Sequence, residues 1–146
     1  MKRSTVVSIL CVCATFGALA ADVPKPAKKS KHVLMDHSMQ GVMDSATAKA
    51  ILEAGIPAKV WKLYPASKWG FVSMVDGGFT ETKICVVAAR VILAPLTVSN
   101  RIVLQPEKQA DVFDAIPNAS QEQCKQLAKD KLKQALEAVV SGLVKS

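Results

Sequence analysis

Four cysteines, two histidines and five methionines carry the soft and nucleophilic chemistry open to this 146-residue chain. Cys11 and Cys13 lie in a short apolar stretch, residues 5–16, that follows Lys2 and Arg3 and precedes Ala18-Leu19-Ala20. A positive start, a short apolar centre and small residues at a cleavage point are the pattern of a secretory signal peptide over residues 1–20. The apolar run is shorter than the roughly 20 residues needed to cross a bilayer. A mature chain that starts at Ala21 and has no membrane span is therefore expected. The signal is short and simple, as in bacteria, so the product is expected to be periplasmic or secreted. Cleavage removes two cysteines and leaves Cys85 and Cys124. An even pair in an oxidising compartment reads as one disulfide. Neither cysteine belongs to a C-x-x-C pair, which argues against zinc, and a bonded pair leaves no thiolate nucleophile.

The second constellation is His32, Met35, His37, Met39 and Met43, five soft ligands within 12 residues. Thioethers suit Cu(I), and imidazole suits copper in either oxidation state. The run Met35-Asp36-His37-Ser38-Met39-Gln40-Gly41-Val42-Met43-Asp44 resembles the short Met/His motifs of periplasmic copper-resistance proteins. That resemblance covers ten residues and implies copper as a cofactor. The competing reading is packing. On a helix His32, Met35, Met39 and Met43 share a face, and on a strand Val33, Met35, His37 and Met39 do. Methionine is a common filler of irregular core space. Packing is the leading reading, with no cofactor, and copper the alternative.

Catalytic signals are sparse. There is no G-x-S-x-G, Gly-rich phosphate loop, G-x-G-x-x-G or H-E-x-x-H. Asp76, Glu81, Asp111 and Asp114 are scattered and announce no local carboxylate pair. The expectation is a protein that is not an enzyme and works by recognition. Trp61, Tyr64 and Trp69 fall within nine residues beside Lys62, Lys68 and Pro65, and make up three of only seven aromatics. Aromatic residues next to cations are enriched at protein-binding hot spots. The same rings equally suit a corner of the core. Together with Asp76 at the expected turn, they form the candidate partner-binding surface.

These residues need elements to position them. Residues 21–31 hold two prolines and four lysines with no apolar pattern, so residues 21–43 read as a flexible Lys/Pro leader followed by the Met/His segment. A single domain over residues 44–146 follows. Asp44 or Ser45 can cap a short helix over about 46–54, with Gly55 just past its end and Pro57 preventing continuation. Residues 58–64 lean towards a strand. Residues 71–75 form a strand entering an Asp76-Gly77-Gly78 hairpin turn, and residues 79–94 a long strand. Residues 101–105 make another strand, and 111–116 are ambiguous. Ser120 and Gln123 form a capping box ahead of an apolar stripe that predicts an amphipathic helix over about 120–144.

Cys124 falls on that stripe, and Cys85 shares a strand face with Val87, Ala89, Val91 and Leu93. The helix should therefore pack on that face, with the two sulfurs meeting near its start. Ile84, Val86, Ala88 and Ile92 occupy the other face, which needs cover from the N-terminal helix or serves as a binding surface. The expected fold class is α+β: an antiparallel sheet of three to five strands, a short N-terminal helix and a long C-terminal helix on the sheet.

Charge narrows the partners. The formal net charge is +7, but residues 32 onward carry 13 basic and 11 acidic groups. The excess lies in the two N-terminal segments, and nucleic-acid binding needs a basic footprint on the folded surface. No nucleic acid is expected. The expected partner is another protein, such as a periplasmic or cell-wall enzyme or a toxin. The chain would then act as an inhibitor or immunity protein. A second copy of the chain is a further candidate.

Overall fold

The computed structural model describes residues 32–103 and 105–145. The expected signal peptide, with Cys11 and Cys13, and the Lys/Pro part of the leader lie outside the described residues. The elements run β1 (Val33–Asp36), α1 (Ser45–Gly55), α2 (Ala58–Leu63), β2 (Trp69–Phe79), β3 (Ile84–Pro95), β4 (Lys108–Pro117) and α3 (Gln121–Val144). The fold is α+β, with one four-stranded sheet in the order β1-β2-β3-β4.

The sheet is mixed, not purely antiparallel. β2, β3 and β4 pair antiparallel, whereas β1 pairs parallel to β2, with Met35 opposite Val72 and Asp36 opposite Ser73. A parallel pair needs a long crossover, and α1 and α2 supply it. The Met/His segment thus belongs to the folded domain rather than to a leader. The His37 N–H donates to the Ser73 carbonyl at 2.9 Å and the Met39 N–H to Val75 at 2.8 Å, which extends the parallel pairing past β1. Side chains lock the same edge. Asp36 Oδ1 accepts from the Ser38 hydroxyl at 2.6 Å and from that of fully buried Ser73 at 2.7 Å, and Ser38 Oγ accepts from the Val75 N–H at 3.0 Å.

Local chemistry explains the helices. The Asp44 side chain accepts from the Thr47 N–H at 2.8 Å and caps α1. Gly55 is the last residue of α1 rather than the one beyond it, and it touches α3: a Cβ there would overlap Leu136 Cδ2. Residues 58–63 are helical, not extended. Pro57, with φ −69°, both ends α1 and sets the entry to α2. Ser120 and Gln123 complete the capping box of α3 in both directions. The α3 stripe Cys124, Leu127, Ala128, Leu132, Ala135, Leu136, Val139 and Leu143 is buried.

The hairpin between β2 and β3 turns at residues 80–83, not at Asp76-Gly77-Gly78. Thr80 and Ile84 close the turn, with the Thr80 N–H to the Ile84 carbonyl at 2.9 Å and the Ile84 N–H to Thr80 Oγ1 at 3.1 Å. Lys83 sits at φ 59°. Gly77 is in mid-strand opposite Val87, where a Cβ would overlap the Val86 carbonyl oxygen. The glycine therefore permits close strand approach rather than reversal. The described residues of 101–105 do not form a strand either. Only an isolated bridge joins Leu96 to Ile102, and β4 takes the place beside β3.

All three helices lie on one side of the sheet. Leu52 of α1, Val60 of α2, and Leu132 and Leu136 of α3 join Phe71, Val75, Val87, Val91 and Leu93 in one core. α1 packs on α3 and does not cover the second face, because the crossover carries α1 over the same face as α3. Cys85 and Cys124 are bonded within this core, with Cα atoms 5.7 Å apart.

Candidate functional site

The face of the sheet turned away from the helices is where the chain leaves apolar groups open. Alternation along β3 sends Val86, Ala88 and Arg90 to this face, and the register sets Ala88 beside Phe113 and Arg90 beside Asp111. Phe113 is 81% exposed and Val86 40%. Such exposure of a phenylalanine in the middle of a strand is the feature to explain, since scattered single residues on loops are ordinary. Arg90 and Asp111 form an ion pair with both side chains half-exposed. Pairs of this kind contribute only about 0–1 kcal/mol, so it ties Arg90 to β4 on the face that also carries Phe113. Met74, Asp76, Ala88 and Phe113 line a shallow 170 Å³ depression around this pair. β4 is also an edge strand, with its outer side unpaired among the described residues.

The other end of the same face is closed by the loop that follows β3. Ile102 packs on Val72, Ile92 and Ala94, with Met35 and Met74 against them. Beside this cluster runs a 380 Å³ groove lined by Met35, His37, Met74 and Arg101 among others.

The sequence-derived site residues separate into different places. Trp61, Tyr64 and Trp69 are half-buried and pack against the core on the helix side. Trp61 meets Phe71 edge-on with centroids 5.4 Å apart, and Tyr64 meets Trp69 edge-on at 5.3 Å. They brace α2 against the sheet. Asp76 is exposed on the opposite, uncovered face, so the structure does not bring it together with the three rings. The Met/His set also divides. The His32 ring stacks on Trp61 at 3.9 Å, Met43 is buried in the core, and Met39 is 53% exposed. Only Met35 and His37 share a groove. No cluster of three or more His, Cys, Asp or Glu suited to a metal occurs among the described residues.

Sequence reasoning missed Phe113, because residues 111–116 were ambiguous, and Met74, which stands 31 positions beyond Met43. The apolar second face of β3 was the available signal for Phe113.

Two carboxylates are held below their ordinary range. Thr47 hydrogen bonds lower Asp44 at the α1 cap. The Lys131 ammonium, 2.6 Å away, and then the Ala115 N–H lower Asp114. Both serve the fold: one caps α1 and the other ties β4 to α3.

No family model matches the chain, and no curated protein matches it. Solved structures of similar shape exist at low identity. A PelC dodecamer from Paraburkholderia phytofirmans aligns with a TM-score of 0.42 and 14% identity, over 74% of this chain and 87% of that one. A minor lipoprotein from Acinetobacter baumannii gives a TM-score of 0.42 and 7% identity, over 79% and 94%. A lipoprotein from Caulobacter crescentus gives 0.42 and 11%, over 77% and 88%. The compartment is addressed by the chain's own chemistry. A buried disulfide is the bond of an oxidising compartment, which fits an exported protein. Among the described residues no helix is long and apolar enough to cross a membrane.

Proposed function

We propose that the chain is an exported, non-enzymatic binding protein that acts through protein–protein contact. Its contact surface is the uncovered sheet face around Phe113, Val86, Ala88 and the Arg90–Asp111 pair. The observation that carries this reading is Phe113, a phenylalanine 81% exposed in the middle of β4. An aromatic ring beside an arginine, ringed by small and aliphatic side chains, has the composition of an interface centre. The folded part is nearly neutral, which favours an apolar anchor over electrostatic capture. The partner is an envelope protein, and inhibition of, or immunity to, an envelope or toxin enzyme is the finer form of the proposal.

Phe113→Ala tests it. The ring makes few contacts within the chain, so unfolding free energy should change by less than about 0.5 kcal/mol. Partner capture from envelope extract, read by crosslinking and quantified by titration, should weaken by about 2 kcal/mol or more. Trp61→Ala should instead lower stability. Unchanged capture by the Phe113 variant, or turnover of a substrate by the pure protein, would refute the reading.

A further inference from the structure

The groove at the β1 end of the uncovered face gathers three soft donors from two strands. Met35 faces Val72 across the parallel β1–β2 pair, and the His37 N–H bonds to the Ser73 carbonyl. His37 is therefore level with Met74. The parallel pairing continues past β1 to His37, so Met35 and His37, two apart, share a face, and Met74 lies beside them on β2. All three line the groove. Neighbouring strands lie about 4.8 Å apart, and methionine has three rotatable bonds with which to close the remaining gap.

The surroundings select the ion. Val72, Ile92, Ile102 and Arg101 form the rest of the wall and offer no side-chain oxygen. The nearest carboxylate in sequence, Asp36, faces the helix side and accepts from Ser38 and Ser73. Hard cations need oxygen donors, whereas two thioethers and an imidazole suit Cu(I). Met35 and Met74 are half-buried and His37 is exposed, so the site opens at the imidazole. We propose that Met35, His37 and Met74 form a three-coordinate Cu(I) site on the sheet face. Met39 and Met43 take no part, since one is exposed to solvent and the other is buried in the core on the helix side. Arg101 lines the same groove and opposes a cation there.

The test is competition for Cu(I) with bicinchoninate under anaerobic ascorbate, using tag-free protein with its disulfide intact. The native protein should withdraw one equivalent of Cu(I). Met74→Leu, which keeps the volume and removes the sulfur, and His37→Gln should each weaken binding at least tenfold. Met39→Leu should leave it unchanged, and Arg101→Ala should strengthen it. Thermal melting of the metal-free variants keeps folding separate from binding, and Met74→Leu should melt close to the native protein. Failure of the native protein to compete would overturn the site. Native-like binding by a folded Met74→Leu variant, or loss on Met39→Leu, would do the same. Met74 also lines the depression beside Phe113, but Phe113→Ala leaves all three copper donors in place, so loss of capture and loss of copper binding remain distinguishable.

Discussion

Removing the Cys85–Cys124 bond tests how the sheet and α3 are held together. The two residues are 39 apart in sequence, so the bond closes a loop of about 40 residues in the unfolded chain. Chain-entropy arithmetic for such a loop gives about 4 kcal/mol at 25 °C. The bonded cysteines lie in the core, Cys85 fully buried and Cys124 4% exposed. Alanine at both positions therefore introduces no unsatisfied polar group, and serine would. For a domain of this size 4 kcal/mol corresponds to a fall in Tm of about 15–20 °C. Urea unfolding followed by circular dichroism is the assay. Cys85→Ala/Cys124→Ala should lose about 4 kcal/mol, and m should rise because the uncrosslinked chain exposes more surface on unfolding. The reduced native sequence separates the crosslink from the packing of the sulfurs, and should account for most of the loss. Each single alanine variant should lose nearly as much as the double, because either one breaks the same loop. A loss below about 1 kcal/mol in the double variant would refute the argument that this bond constrains the unfolded chain.

Three further perturbations address the elements that frame the site. Asp36→Ala strips the nearer acceptor from the buried Ser73 hydroxyl, leaving the Met35 carbonyl at 3.5 Å, and should cost about 1–3 kcal/mol by chemical denaturation, with Asp36→Asn recovering part. Gly77→Ala places a methyl group against the Val86 carbonyl, whereas Gly78→Ala meets nothing within 4 Å at the same φ of 156°. The first should lose about 1–3 kcal/mol more than the second, and equal melting temperatures would show that β2 and β3 do not approach as described. Thr47 holds Asp44, and the Lys131 ammonium holds Asp114, below the ordinary carboxylate range, so each contributes stability above its unfolded pKa that is lost as the pH falls through the folded one. Stability measured from pH 5 to pH 2 should decline. Asp44→Asn combined with Asp114→Asn should flatten that decline, while the asparagine side chain still caps α1.

The chain's local chemistry was legible wherever the signal lay within a few residues. Ser120 and Gln123 cap α3, Asp44 caps α1, and alternation along β3 put Cys85 on the same side as the α3 stripe, which was enough to pair the cysteines. Periodicity and capping are properties of neighbouring residues, and the tertiary fold only completes them. Other features depended on partners far along the chain. The four residues of β1 are too short to announce a strand, and they become one because β2 presents an edge that the α1–α2 crossover allows them to join in parallel. Asp76-Gly77-Gly78 has turn chemistry, but the antiparallel register with β3 runs through it, and the closure at Thr80 and Ile84 sets the reversal four residues later. Trp61, Tyr64 and Trp69 have the composition of a binding site, and only the fold shows them half-buried against the helix-side core. Phe113 and Met74 carried no local signal, since exposure in mid-sheet and proximity to His37 exist only once β3 and β1 lie beside them. Each element's preferred face was written in its own residues, and the packing of the sheet against three helices settled which of those faces found cover.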